Sequence, residues 1–465
     1  MMKPLFIRFI IIILTIISLN VAAEKPHRTG LIFNDAVYNQ IPLQATLTRG
    51  LYDHLPAQAS LKKYSPLPKS QGQYGTCVGW ATAYAARTIL EAQQNGWTTQ
   101  SMITQNAFAP GFIYSLIKAD DDFACSQGSS ISDALDIMVQ QGVPKYSYFN
   151  KSCPETIPNR VYTQASPFRI QGYHRIFKIT DPNNLKIKTV KKSLAEGKPV
   201  VIGMNIPDSF DEPDEELWQP VESPKKDYRA HAMTVIGYDD NRYGGVVELQ
   251  NSWGTDWGNK GYIWVKYQDF AQFTPYAFEL IGRFKKTSLN TPDLSGQLRL
   301  VLAASGEMPA ILVGQTYKIQ RSYQSGTRFR LYISNEEPAY VYAFGYDPAI
   351  GKTTPIFPSQ PGISSALIYQ NNEVAYPDED HYVAMQGKGT DFLCALYSQN
   401  ELDIAAIRQQ LEQTSGNFIE KVRRVLSHKL VAAENIKFAT TEIRFSAVSY
   451  DKTVVALIVE MEHTQ

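Results

Sequence analysis

The chain has 465 residues, more than one hydrophobic core supports well, so we expect two domains. Hydrophobic residues make up 44% of the chain, which allows sizeable cores. Lys+Arg and Asp+Glu both total 45, and this balance argues against a nucleic acid or an anionic membrane surface as partner. Four cysteines are too few for a disulfide scaffold.

Residues 1–23 have the composition of a secretory signal. Lys3 and Arg8 come before an apolar run at 9–19, and the small residues of Val21-Ala22-Ala23 form a cleavage pattern before Glu24. The apolar run is about half of the ~20 residues that a spanning helix needs. We therefore predict a secreted protein, extracellular or periplasmic, with no integral membrane segment after signal removal.

The next predicted elements are helical. Residues 24–59 are loop-rich and form either a short pro-segment or a simple N-terminal extension. A helix is predicted from Cys77 towards Gln94, where Asn95-Gly96 supplies a stop. A second helix is predicted over 132–141, with Gly142 at its end.

After about Gly172 the pattern favours strands. One further helix is predicted over 183–196, and apolar runs bounded by turn residues then indicate strands. These runs are Val200–Ile206, Ala230–Tyr238, Val246–Trp253 and Gly261–Tyr267. We therefore expect a helical half followed by a β half.

Residues 286–296 are polar, contain Pro and Gly, and are predicted to be a linker. The remaining residues, 297–465, alternate apolar and polar positions and contain helical patterns near 404–411 and 418–426. This predicts a β-rich α+β domain without a motif that can be assigned to chemistry. Its alternating aromatics at 340–346 are typical of a buried sheet face.

Three residues form a candidate chemical site. Cys77 comes at the start of a predicted helix, where the helix dipole and a nearby imidazole would lower the pKa of a thiol. His231 opens an apolar strand, and Asn251 follows twenty residues later in NSWGTDWG. An amide beside an imidazole fixes its tautomer, and the indole of Trp253 would exclude water from that contact.

This ordered set resembles the papain-like cysteine peptidases over about 55–284. QGQYGTC is similar to the family's Gln-Gly-x-Cys-Gly-Ser-Cys. The resemblance implies an α+β papain-like fold over 60–285, with a helical half and an antiparallel β-barrel half, and it implies peptide or protein substrates. No cofactor or metal is expected.

The resemblance also implies a role for each residue of the motif. Cys77 matches the nucleophile, His231 the general acid and base, and Asn251 the orienting amide. Gln71 matches the oxyanion donor, and Trp253 matches the shielding indole.

Substrate contacts follow from a further resemblance. GSSISDAL is similar to the family's Gly-Gly stretch, so Gly128 and Ser129 would pair with extended substrate. Ile131 and Ala232 would line the pocket for the second side chain before the scissile bond. Their apolar character predicts a preference for a hydrophobic residue there.

The motif departs from the family at Tyr74, which replaces a cysteine and removes one customary disulfide. Cys125 and Cys153 match the family's other bridge in the helical half. Cys394 lies in an apolar run and is predicted to be a buried free thiol.

Two further questions stay open in the sequence. The C-terminal region resembles a domain of unknown function appended to exported bacterial enzymes, and it is either a structural accessory or a binding domain whose partner is unknown. The leading hypothesis is an exported thiol endopeptidase. The alternatives are a papain-fold binding protein without turnover and an acyltransferase or transglutaminase-like enzyme.

Overall fold

The structure is a computed structural model that describes residues 26–214, 216–284, 290–304 and 306–465. The predicted signal sequence and residues 286–289 of the predicted linker lie outside these ranges. Within them, no helix is both long and apolar enough to cross a membrane. The described chain has three parts: the extension (26–59), the central region (60–284) and the C-terminal region (290–465).

The extension contains short helices α1 (Asp35–Gln40) and α2 (Gly50–Asp53), and strand β1 (Gln58–Ser60) begins at its end. Helix α1 is capped by Asn34, whose Oδ1 accepts a hydrogen bond from the Val37 N–H at 3.2 Å. Most of the extension lies against the other two parts as irregular chain.

The first half of the central region is helical, as predicted. Its long helix runs from Cys77 to Asn95, is π-helical over Trp80–Arg87, and ends at Gly96 with φ +65°. That left-handed conformation suits glycine. The labelled helices are α3 (Cys77–Gly79), α4 (Thr88–Asn95), α5 (Gln100–Gln105), α6 (Pro110–Ile117), α7 (Ile131–Gln140) and α8 (Asn159–Ala165). Along the described chain as a whole, single 3₁₀ turns lie at Lys62–Tyr64, Ser166–Phe168, Asp208–Phe210 and Ala433–Asn435.

The second half of the central region is a β-sheet with flanking helices. Its elements are β2 (Gly172–Arg175), α9 (Asn183–Ala195), β3 (Val200–Ile206), β4 (Leu217–Trp218), β5 (Arg229–Asp239), β6 (Val246–Gln250), β7 (Tyr262–Lys266), α10 (Tyr267–Phe273) and β8 (Tyr276–Ile281). The strand order is β2-β8-β3-β5-β6-β7-β4, with β1 paired to β5. All ladders are antiparallel except β4–β7. The central strands β3 and β5 are buried, as their apolar sequences predict.

The C-terminal region forms a sandwich of sheets. Its strands are β9 (Leu294–Leu302), β10 (Ala310–Val313), β11 (Thr316–Ile319), β12 (Tyr323–Gln324), β13 (Arg328–Asn335), β14 (Ala339–Asp347), β15 (Lys352–Phe357), β16 (Ala366–Leu367), β17 (Asn372–Tyr376), β18 (Val383–Ala384), β19 (Gly389–Ser398), β20 (Ile436–Phe438), β21 (Ile443–Ala447) and β22 (Val454–Thr464). One sheet has the order β10-β11-β22-β19-β14-β15 and another has β17-β13-β9-β21-β20. Helices α11 (Ile404–Gln413) and α12 (Phe418–Leu426) lie between β19 and β20 in the chain.

One predicted boundary differs from the structure. Strand β9 begins at Leu294, inside the predicted linker, because Leu294 and Leu298 are buried in the sandwich. Gly296, which helped to suggest a linker, is a strand residue: a Cβ there would lie 2.2 Å from the Tyr397 ring. The predicted aromatic face holds, since Tyr340, Tyr342, Phe344 and Tyr346 are all buried.

Candidate active site

Cys77 is the first residue of α3, and its side chain is fully buried. The backbone N–H groups of Ala232 and Gly30 are within hydrogen-bonding reach of its thiol. Ala232 lies on β5 directly after His231, whereas Gly30 belongs to the extension. The fold therefore brings the predicted thiol and the predicted imidazole strand together, and the extension meets them there.

His231 is held by the amide of Asn251. Its Nε2 lies 2.7 Å from Asn251 Oδ1, and that oxygen also accepts the Ser252 backbone N–H at 2.7 Å. Because the oxygen is an acceptor, the imidazole proton lies on Nε2. Nδ1 is buried and has no hydrogen-bond partner within the described residues, so it is the nitrogen left for proton transfer.

Trp253 covers this pair. Its indole stacks on the His231 ring with centroids 4.6 Å apart, and the His27 ring of the extension stacks on the same indole at 4.5 Å. Trp253 is only 6% exposed. The predicted shielding contact is therefore present, with a second ring added by the extension.

Gln71 is buried beside the same loop. Its Oε1 accepts from the Ser252 hydroxyl at 2.6 Å, which fixes the orientation of the amide. Its Nε2 donates to the carbonyl oxygens of Tyr74 at 2.7 Å and of Arg28 at 3.1 Å. The Arg28 carbonyl also accepts from Trp253 Nε1 at 3.0 Å. The Arg28 carbonyl of the extension thus accepts a hydrogen bond from the Gln71 amide, the group that the family resemblance predicts to stabilise the oxyanion.

The pKa values of Cys77 and His231 indicate an uncharged thiol and an uncharged imidazole, and not an ion pair. Burial raises the pKa of Cys77 to about 11, although backbone N–H groups oppose this. Burial lowers the pKa of His231 to about 4, although its bond to Asn251 opposes this. The position at a helix start predicted a lowered thiol pKa. In the structure the effect of burial outweighs that of the backbone N–H groups, and the pKa is raised.

Residues 27–33 of the extension are what covers the site, and we call them the cleft segment. The Ser129 N–H donates to the Gly30 carbonyl at 2.8 Å, and the Ile32 N–H donates to the Ser129 carbonyl at 2.9 Å. The Leu31 N–H donates to the Ala230 carbonyl at 3.3 Å. Gly30 approaches so closely that a Cβ there would lie 2.0 Å from the Gly75 carbonyl oxygen.

The residues predicted to contact substrate differ in which groups they can offer to it. Ser129 makes strand-like hydrogen bonds, here with the cleft segment. The Gly128 N–H already donates to the Tyr114 hydroxyl at 3.0 Å, so this N–H is not available to pair with a substrate. Ile131 and Ala232 lie in one buried apolar cluster with Leu31 of the cleft segment.

The disulfide prediction is confirmed. Cys125 and Cys153 are bonded, with Cα atoms 5.8 Å apart. The Cys125 carbonyl accepts the Gly75 N–H at 2.7 Å, so the bridge supports the loop that enters α3. Cys394 is a free, fully buried thiol, as predicted.

Comparison with known proteins decides the family. Residues 59–274 match the family model of the papain family cysteine proteases. This region belongs to the papain family. Residues 322–401 match a domain of unknown function, DUF4384. The papain-family region makes the chain a cysteine peptidase, and the DUF4384 domain lies within the C-terminal sandwich.

Relatives of the papain-family region are distant. An uncharacterized peptidase C1-like protein of Acanthamoeba polyphaga mimivirus is 26% identical over 45% of this chain and 68% of its own length. Cysteine proteinase 3 of Entamoeba histolytica is 23% identical over 53% of this chain and 74% of its own length. The crystal structure of xylellain, a cysteine protease from Xylella fastidiosa, is 20% identical with a TM-score of 0.43, over 56% of this chain and 98% of that one.

The sequence left open whether residues 24–59 are a pro-segment, and it did not single out residues 27–33 as the part that covers the site. The contacts of this cleft segment use backbone carbonyls, backbone N–H groups and a glycine, which form no recognisable motif. The available signal was weak: Gly30 followed by the apolar run Leu31-Ile32-Phe33 within a polar stretch.

Proposed function

We propose that this protein is an exported thiol endopeptidase in which Cys77 is the nucleophile and residues 27–33 keep it latent. The observation that carries the proposal is the local arrangement of four side chains. The Cys77 thiol lies within reach of the backbone N–H of Ala232, the residue directly after His231 on β5. Asn251 orients the His231 imidazole and Trp253 shields it. His231 Nδ1 is the free basic nitrogen in this arrangement.

The mechanism is acyl transfer through a thioester. His231 Nδ1 takes the thiol proton, the Cys77 sulfur bonds to the peptide carbonyl carbon, and the oxyanion is held by the Cys77 N–H and Gln71 Nε2. The C–N bond breaks as His231 gives its proton to the leaving amine. Water then attacks the thioester with His231 as base, which releases the acid and restores the thiol.

Latency follows from the groups that the cleft segment occupies. The Arg28 carbonyl takes a Gln71 N–H, and Gly30 lies over the thiol. The charge separation that the mechanism needs is also opposed, because the covered thiol has a raised pKa and the covered imidazole a lowered one. Departure of the segment restores water and substrate access together.

Substrate preference is proposed from the same contacts. Ser129 offers a backbone N–H and a backbone carbonyl to an extended chain, and Leu31 is buried in the same apolar cluster as Ile131 and Ala232. We therefore expect a hydrophobic residue at the second position before the scissile bond. A peptide library in which a charged residue is preferred there would contradict this.

Export is proposed from residues 1–23 and is consistent with a disulfide. The test is the N-terminal sequence of protein recovered outside the cytoplasm of a producing cell. A chain that starts near Glu24 supports export, and a chain that retains Met1 contradicts it.

The reaction itself is tested by products. The chain, first treated with an added protease that removes the cleft segment, is incubated with a peptide that has Leu at the second position, with and without a primary amine. Mass spectra should show two hydrolysis fragments in both samples. Amide formation as the main product would indicate an acyltransferase, and an intact peptide would indicate a binding protein.

A further inference from the structure

The extension continues beyond the cleft segment into a stretch that is built into both folded regions. The backbone of 42–44 pairs on one side with β2 of the papain-family region, where the Arg175 N–H donates to the Pro42 carbonyl at 3.0 Å and the Gln44 N–H donates to the Arg175 carbonyl at 2.8 Å. On the other side, the Leu43 N–H donates to the Gly362 carbonyl and the Ser364 N–H donates to the Leu43 carbonyl, both at 2.7 Å. Leu43 therefore lies between the two regions like a shared strand.

Side chains of this stretch are buried in the C-terminal region. Ala45 and Leu47 are 3% and 4% exposed and belong to the apolar core of the sandwich. The Thr48 N–H donates to the Glu373 carbonyl at 2.8 Å. Burial of this extent stabilises a folded chain, so the stretch is part of the C-terminal core.

A buried polar contact joins the same parts. Gln44 Nε2 donates to the Tyr369 hydroxyl at 2.7 Å, and that hydroxyl donates to Glu279 of β8 at 2.6 Å. Glu279 and Tyr369 come from the two different regions and are almost fully buried. Loss of Gln44 would leave buried polar atoms with fewer partners, which costs stability.

Tyr38 fixes the beginning of this stretch to the papain-family region. It is 1% exposed, stacks on Tyr276 with centroids 4.1 Å apart, and donates from its hydroxyl to the Phe177 carbonyl at 2.8 Å. Arg175 Nε donates to the Ile41 carbonyl at 2.9 Å. Residues 38–49, which we call the anchor segment, are therefore held at many points.

Residues 34–37, between the cleft segment and the anchor segment, differ from both in their exposure to solvent. Asn34, Asp35, Ala36 and Val37 are all exposed, and they form the cap and first turn of the six-residue helix α1. Asp35 accepts a hydrogen bond from the Tyr276 hydroxyl at 2.7 Å and lies 3.9 Å from Lys226 Nζ. A short helix end at the surface opens at little cost in free energy and is then open to a protease.

We propose that residues 34–37 are a proteolytic processing site, and that the anchor segment stays in the active protein as the strand that joins the C-terminal region to the peptidase. Hydrolysis adds one water across one peptide bond and leaves a carboxylate on the cleft segment and an amine on the remaining chain. A second copy of the chain that has already been processed, or another protease, supplies the nucleophile, since Cys77 is covered in the intact chain. The extension is thus divided between an inhibitor and a structural strand; activation through the removed part rests on the proposed function.

The first experiment maps the cut. Full chain carrying Cys77→Ser, which removes self-cleavage, is digested briefly with thermolysin, and the products are weighed by mass spectrometry. We expect the first stable product to begin at one of residues 35–38 and to extend to Gln465. A first stable product that begins after residue 49 would overturn the proposal. Because the protease is added, this outcome does not depend on whether Cys77 is a nucleophile.

The second experiment compares two buried leucines in thermal unfolding, before and after that digestion. Leu31→Ala and Leu47→Ala should each lower the unfolding midpoint of the intact chain, Leu47→Ala by ~5 °C or more. After digestion the Leu47→Ala shift should persist, whereas Leu31→Ala should match its digested parent. Disappearance of the Leu47→Ala shift would show that the anchor segment is lost and would overturn the proposal. If both results are as expected but the digested wild-type chain cleaves no peptide, the proposed function fails while the division of the extension stands.

Discussion

The two free cysteines of the described chain are equally buried but differ in what covers them. Cys394 lies inside β19, between neighbouring strands of the C-terminal sandwich, and burial alone raises the pKa of its thiol. Cys77 starts a helix against the strand that carries the oriented imidazole of His231, and one of its covers is a short stretch of the extension. Only the second cover can leave without unfolding a core, so burial by itself does not distinguish a structural thiol from a latent one.

The largest expected difference between the two thiols is in activity. Cys77→Ala should reduce peptide hydrolysis by the processed chain by at least about 1000-fold, because loss of a covalent nucleophile leaves only binding and oxyanion stabilisation. The measurement is hydrolysis of a fluorogenic peptide. Cys394→Ala is the matched control and should retain turnover. Equal losses in both variants would contradict the distinction.

The next effect concerns the oxyanion. Gln71→Ala should lower kcat of the processed chain by ~100 to 1000-fold, since one preorganised donor is lost. Gln73→Ala, two residues away and exposed, should leave kcat unchanged. The same kcat for the Gln71 and Gln73 variants would remove Gln71 from the mechanism.

The sequence predicted a helix start at Cys77 and an apolar strand opened by His231, and the structure has α3 beginning at Cys77 and His231 as the third residue of β5. The apolar runs likewise predicted β3 and β5. The raised pKa of the Cys77 thiol was not predictable, because burial causes it and part of the cover is Gly30, 47 residues earlier in the chain. The start of β9 was missed because Gly296 serves a close approach of Tyr397 and not a turn.

The pH dependence of opening should distinguish the covered active site from a core that stays buried. Burial lowers the pKa of His231 from 6.5 to about 4, with Arg229 and His27 as charged neighbours that lower it further. Between these pH values the uncovered state binds more protons than the covered state. Stability of the covered state is therefore fully present above pH 6.5 and is lost as the pH falls towards 4, by up to about 3 kcal/mol or roughly 300-fold in the opening equilibrium.

Hydrogen exchange of residues 27–33 measures this opening. In the Cys77→Ser chain, exchange rates corrected for intrinsic pH dependence should rise below pH 6.5, while amides of β19 remain protected. His231→Gln should flatten the profile. A profile that is unchanged by His231→Gln would assign the pH dependence to another group.

The smallest expected effect comes from one methyl group. Gly30→Ala places a Cβ 2.0 Å from the Gly75 carbonyl oxygen, and both neighbours are backbone. Overpacking of this kind costs ~1 to 3 kcal/mol, so the opening equilibrium should shift by roughly 5 to 150-fold. Activity of the unprocessed chain should rise accordingly. Gly50→Ala, in the same extension with nothing within 4 Å of its Cβ, is the matched control and should change nothing.

The reactivity of both thiols in one sample is the most direct test of whether Cys77 is a latent nucleophile. Purified chain is treated with a peptidyl epoxide before and after proteolytic removal of residues 27–33, and the adducts are mapped by mass spectrometry. We predict no adduct on either cysteine before removal, rapid modification of Cys77 after removal, and none on Cys394 at any stage. Equal labelling of Cys77 in the two samples, or no labelling after removal, would contradict the claim that Cys77 is a latent nucleophile.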